Sequence, residues 1–191
     1  MLVDSAKIGM SVRTIARKIY FLSPSVSFHN NYDLQLEMYE EICRYLTLPL
    51  SSIRVVGSAH TGFSLVKGTV FDPSVSDLDI AVVDAHLFLN MFEFAFELTN
   101  GWKDVAKFSN DSNARAARTD FLRYLSKGII RPDLMPSSPE KAKWSNFFGK
   151  LGDKYSSFCC GISVGVYARE SFMAAKQETA IKKFLANEVT I

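Results

Sequence analysis

Between residues 55 and 83 an apolar run meets a glycine–serine pair, and two aspartates follow further on. The segments are Val55-Val56-Gly57-Ser58 and Ser76-Asp77-Leu78-Asp79-Ile80-Ala81-Val82-Val83. Gly57 has no Cβ to keep an anion off the backbone, so backbone N–H groups and the Ser58 hydroxyl could hold phosphate oxygens. On a strand, the spacing of Asp77 and Asp79 puts both carboxylates on one face and turns Leu78 and Ile80 into the core. Two adjacent carboxylates repel each other unless a cation lies between them. Hard oxygen ligands suit Mg²⁺, with Mn²⁺ as the alternative, completed by substrate phosphates and water. A metal there could activate a hydroxyl and neutralise charge on a transferred phosphoryl group. Each signal alone is common at strand ends; their order is what points to chemistry.

Other residues carry weaker signals. His60, two beyond Ser58, could reach a triphosphate as a phosphate-binding residue, although an exposed loop histidine is the plainer description. Lys67 reads as a solvated loop lysine or a phosphate contact, and Asp72 as a turn residue before Pro73 or a supplementary metal ligand. Arg115, Arg118 and Arg123 flank the apolar face of one helix, and could bind phosphates or simply be solvated. Trp102 and Trp144 could stack a base or pack in the core. No Ser/His/Asp triad, Walker loop, zinc spacing or dinucleotide fingerprint is present.

Taken in order, these residues resemble the nucleotidyltransferase superfamily with the DNA polymerase β-like fold. Gly57-Ser58-Ala59-His60-Thr61-Gly62-Phe63-Ser64 is similar to the Gly-Ser-x-x-x-Gly-Thr/Ser start of many members. The chain also resembles small bacterial nucleotidyltransferase-like proteins, some linked to phage defence. The motif similarity covers roughly residues 53–83. The resemblance implies a short mixed sheet flanked by helices, Mg²⁺, a nucleoside triphosphate donor, and transfer to a hydroxyl with loss of pyrophosphate. Gly57 and Ser58 match the phosphate-gripping pair, and Asp77 and Asp79 the catalytic metal ligands. Two departures stand out. The gap from Ser58 to Asp77 is longer than in compact members, a cheap insertion at about 66–75. The family's third carboxylate, which helps bind metal and can act as base, has no counterpart in Gly161-Ile162-Ser163-Val164-Gly165-Val166-Tyr167. Ser163 or Gly165 takes its place, with Asp153, Glu170, Asp104 and Asp120 as alternative acids.

The elements that must position these residues can be read from periodicity and punctuation. Ile8, Val12, Ile15, Ile19 and Leu22 give an N-terminal helix one apolar face, with Lys7, Arg13, Arg17 and Lys18 elsewhere. Such a helix could pack on its own domain, dock a protein partner or lie on a membrane surface. A second helix spans about 33–46, and a strand runs over 53–56 into Gly57-Ser58. The next strand is Leu78–Val83, after which Asp84 can cap a helix to about Leu98. Asn90, Glu93 and Glu97 mark a narrow solvated stripe on that helix, so it should be heavily buried. Asp111 or Ser112 can cap another helix with Ala114, Ala117, Phe121 and Leu125 on one face. A Pro-rich linker at 132–139 leads to a helix near Glu140–Leu151, a strand near Phe158–Tyr167 and a closing helix at about 170–186. Three strands interleaved with helices predict an α/β (α+β) fold, organised as one domain with an N-terminal helical segment over about 1–46.

The bulk numbers fit that plan. At 191 residues with 48% apolar and 22% charged residues, the chain can bury a substantial core as a soluble protein. A net charge of +2 does not indicate nucleic-acid binding, though a local patch remains possible. Cys43, Cys159 and Cys160 read as reduced core or near-core thiols of a cytoplasmic protein. No apolar run approaches the ~20 residues of a membrane span. The leading functional expectation is Mg²⁺-dependent nucleotidyl transfer. The alternative is a catalytically degenerate binding or regulatory module, antitoxin-like or serving phage defence with a protein partner.

Overall fold

Alternation decides the strands. In β1 (Ile53–Val56) and β2 (Leu78–Val83), Ile53, Val55, Leu78, Ile80 and Val82 fall on one face and are at most 2% exposed. The computed structural model describes residues 9–109 and 113–188 and contains one four-stranded sheet of order β1-β2-β4-β3. β1 runs antiparallel to β2, β2 parallel to β4 (Ile162–Tyr167), and β4 antiparallel to β3 (Ile129–Ile130). The architecture is the expected small mixed sheet flanked by helices. A fourth strand, β3, lies between the helix carrying Leu125 and the Pro-rich linker at 132–139, where the sequence pattern assigns no element. Two residues are too short for a periodic signal, and pairing with β4 is what makes them a strand.

Seven α-helices complete the described chain: α1 (Val12–Arg17), α2 (Tyr32–Leu46), α3 (Gly57–Thr61), α4 (Ala85–Leu98), α5 (Ala114–Leu125), α6 (Pro139–Lys154) and α7 (Glu170–Glu188). The caps match their sequence signals. Asp84 Oδ1 accepts from the Leu87 N–H at 2.7 Å, and Ser138 Oγ accepts from the Lys141 N–H at 3.1 Å with Pro139 just inside the helix. Asp111 and Ser112 lie outside the described residues, as do Lys7 and Ile8; Asn113 occupies the cap position of α5.

The two faces of the sheet carry separate cores. One joins Val55, Ile80, Val82 and Val166 to Met38 and Ile42 of α2, Phe88 and Ala95 of α4, Phe121 of α5 and Phe148 of α6. The other joins Val56, Ala81, Ile129 and Tyr167 to Ile15, Ile19 and Tyr20, and to Met173, Ala174 and Ile181 of α7. The apolar face of α1 is therefore spent on α7 within the chain. Arg13–Glu178 and Arg17–Glu170, both at 2.6 Å, close the edges of that contact. Leu22 departs from the expected face and is 81% exposed, because Lys18–Leu22 forms a π-turn that changes the angular step and buries Tyr20 instead.

α4 is a second correction. Only Phe88 and Ala95 within it are buried, while Leu89 is 59% and Phe96 44% exposed. The sheet has just four strands, so α4 is covered from one side only. Among the described residues no helix is long and apolar enough to cross a membrane.

Candidate functional site

The register of the first two strands builds the site. Val56 lies opposite Asp79, so the residue after Val56 emerges beside the Asp79 carboxyl. That residue is Gly57, with φ +66°, a left-handed conformation that lets the chain turn from β1 into α3. A Cβ there would overlap Asp79 Oδ2 and come within 3.3 Å of Asp79 Cγ. Glycine is thus needed twice, for its backbone angle and for close approach of backbone to carboxylate. On the other side Asp79 lies beside Ser163 of β4 in parallel register, and a Cβ on Gly161 would lie 3.1 Å from Asp77 Oδ1.

Asp77 is exposed and Asp79 half-buried, while Leu78 and Ile80 point into the opposite core. Gly57, Ser58, Asp77 and Asp79 all line one cleft of about 650 Å³, as do Tyr20 and Tyr167. Its other walls supply Lys67, Arg131, Lys176 and Lys183. The Tyr124 ring gathers two of these cations, with the Arg131 guanidinium 5.4 Å and the Lys176 ammonium 5.5 Å from its centroid.

Burial, and then the charge of Asp77, pushes the Asp79 carboxyl up to about 6, while Arg131, Lys176 and Lys67 pull the other way. Those cations are near enough to act through space, yet among the described residues neither aspartate has an ion-pair or hydrogen-bond partner. Burial and the Asp79 charge also raise the Tyr20 and Tyr167 hydroxyls far above their usual range. Two adjacent carboxylates, one half-buried and neither paired, repel each other, a repulsion that a divalent cation between them would relieve.

No protein family, curated protein or solved structure matches the chain. The site must therefore be read from its own geometry.

Among the described residues no group of three or more His, Cys, Asp or Glu side chains is placed to hold a metal. None of Asp104, Asp120, Asp153 or Glu170 joins the pair; Asp120 holds Arg123 and Glu170 holds Arg17. A Cβ at Gly165 would lie 3.2 Å from a carbon of the Tyr167 ring, a tight contact at one of the positions where the acid is expected. Ser163 is the half-buried polar residue left beside Asp79. Two carboxylates with neighbouring hydroxyls still fit Mg²⁺, which takes its remaining oxygens from phosphate and water.

His60 does not belong to the site. It is 5% exposed, donates from Nε2 to the Ile19 carbonyl at 2.8 Å and packs on Tyr20 at 4.9 Å. Burial holds its pKa below the usual value, so the ring is a neutral core group. Both expectations, phosphate ligand and exposed loop residue, are corrected: the turn of α3 carries residue 60 under the π-turn.

Lys67 lines the cleft. Asp72 is the turn residue expected, its Oδ1 accepting from the Ser74 N–H at 2.9 Å and the Ser74 hydroxyl at 2.7 Å. Arg115, Arg118 and Arg123 do not line it; Arg118 donates to the Trp102 carbonyl at 3.1 Å. Trp102 packs against Phe96 and Phe121. Trp144 lines a second cavity of about 480 Å³, which adjoins the first through Asp77, Ser163 and Val164. Cys159 is buried and Cys43 half-buried, but Cys160 is exposed, against the expectation of a near-core thiol.

The residues that sequence reasoning missed are the cations and amide of the far walls: Arg131, Lys176, Gln177 and Lys183. Lys176 and Lys183 are seven apart, hence on one side of α7. Nothing in the sequence says which helix side meets the aspartates.

Proposed function

We propose that the protein carries out Mg²⁺-dependent nucleotidyl transfer from a nucleoside triphosphate to a hydroxyl acceptor, as a relative of DNA polymerase β-like nucleotidyltransferases. The observation carrying this reading is the Gly57–Asp79 contact at the strand ends, which sets an unpaired carboxylate pair beside a Gly-Ser turn in a cation-lined cleft. The acceptor hydroxyl gives up its proton to water, its oxygen forms a bond to the α-phosphorus as the bond to the bridging oxygen breaks, and pyrophosphate leaves. Asp77 and Asp79 would hold the metal, which when bound offsets phosphate charge and lowers the pKa of a hydroxyl. Ser58 and the backbone around Gly57 hold phosphate oxygens. Lys67, Arg131 and Lys176 line the cleft as electrostatic partners for the charge on the leaving group. The adjoining 480 Å³ cavity gives an acceptor access to the same carboxylate, Asp77.

A second reading rests on β4, which presents Ser163 and Gly165 and no acid. In that reading the fold binds nucleotide without turning it over and serves as a regulatory module. One assay separates the two. Protein, α-labelled triphosphates and Mg²⁺ should yield pyrophosphate and a labelled product, and Asp77→Ala/Asp79→Ala should abolish both. Tight binding without release supports the regulatory module, whereas release unaffected by the double substitution removes the site from consideration.

A further inference from the structure

Gln177 stands in the inward row of α7 with Met173, Ala174 and Ile181, and is 8% exposed. Its row neighbours are apolar and complete the second core. A glutamine amide carries two N–H donors and a carbonyl acceptor, groups that protein interiors normally pair. Among the described residues the Gln177 side chain meets no hydrogen-bond partner. Nor is the amide sealed away. Arg118 Nε is the one enclosed, unpartnered side-chain nitrogen or oxygen among the described residues, so the Gln177 amide keeps an opening. That opening is the 650 Å³ cleft, whose wall Gln177 forms together with Lys176 and Lys183. Leucine or methionine would fill the position at lower cost if packing were the only demand.

We propose that Gln177 reads the nucleobase of the nucleoside triphosphate bound in this cleft. The inference rests on the triphosphate reading above and goes beyond it by assigning the subsite that recognises the base. Phosphate oxygens are acceptors only, and the cleft meets them with Lys67, Arg131, Lys176 and Lys183. A neutral amide offering one donor and one acceptor side by side complements the hydrogen-bonding edge of a base instead. Meeting that edge pairs the amide's donor and acceptor directly, which favours a base of matching pattern over one that leaves them unpaired.

The test compares binding of the four ribonucleoside triphosphates with binding of inorganic tripolyphosphate, in Mg²⁺, by calorimetric titration. Wild type should bind at least one triphosphate about tenfold or more tighter than tripolyphosphate. Gln177→Leu should bring that triphosphate down to the tripolyphosphate level and leave tripolyphosphate within about twofold. Gln177→Glu should reorder the four, because a carboxylate only accepts. Gln177→Met, close in length and apolar, should fold with an unchanged or higher Tm and repeat the loss of base discrimination. Unchanged affinities and order in the Leu and Met variants would overturn the inference, as would an equal loss of tripolyphosphate or a marked fall in the Tm of the Met variant. Wild type binding neither probe would overturn the triphosphate reading and this inference with it. Binding of both probes with equal affinity would overturn the inference alone.

Discussion

Replacing Asp79 with asparagine in the metal-free protein should stabilise it at neutral pH and have little effect in acid. Burial, reinforced by Asp77, lifts the carboxyl from 3.8 to about 6. In the unfolded chain the group titrates near 3.9, so between about pH 4 and 6 the native state binds more protons than the unfolded one. Stability therefore falls as pH rises through that window, and above about pH 6 the penalty is complete. The rise from 3.8 to about 6 corresponds to roughly 3 kcal/mol favouring the neutral form, at 1.36 kcal/mol for each unit of pKa. Asp79 keeps some contact with water, so about 1–3 kcal/mol is the gain expected from asparagine. For a chain of this size that is roughly 2–12 °C in Tm. Thermal melts in EDTA from pH 4 to 8 read it directly. A lower Tm for Asp79→Asn at pH 7.5, or the same shift at pH 4 and 7.5, would refute the reasoning.

Three further outcomes follow from the same geometry. Gly57→Ala should cost about 1–2 kcal/mol for its left-handed angle, and more for the overlap with Asp79. Repeating it in Asp79→Ala should recover the overlap part, and urea melts in which the two changes add within about 0.5 kcal/mol would contradict the contact. Ser163→Asp puts a third acid beside Asp79, so calorimetry should show Mn²⁺ affinity rising about tenfold while the metal-free Tm falls; unchanged affinity would show that residue 163 does not face the metal position. Lys176→Glu/Lys183→Glu should weaken triphosphate binding about tenfold or more and flatten its salt dependence, and a change under about twofold would count against the cationic wall.

Much of the site's near half was legible because it is local. The Val-Val-Gly-Ser and Asp-Leu-Asp segments each specify strand, face and turn through spacing alone, and register then joins them. The far half was not legible because it is tertiary. Lys176, Gln177 and Lys183 lie about a hundred residues along the chain from the aspartates, and only the packing of α7 on α1 and the sheet brings them round. His60 shows the same limit from the other side. Its neighbours in sequence suggest a phosphate loop, while its partner, Ile19, sits on a π-turn that no periodicity announces. β3 escaped notice because two apolar residues carry no pattern until β4 pairs with them.

The most direct test of the central claim is a crystal structure with a non-hydrolysable nucleoside triphosphate and Mn²⁺, read by the anomalous signal of the metal. A peak is expected within coordination distance of both Asp77 and Asp79, with phosphate oxygens against Gly57 and Ser58 and the chain of phosphates running toward Lys67, Arg131 and Lys176. A triphosphate bound outside this cleft, or one bound within it with no metal at the aspartates, would contradict it.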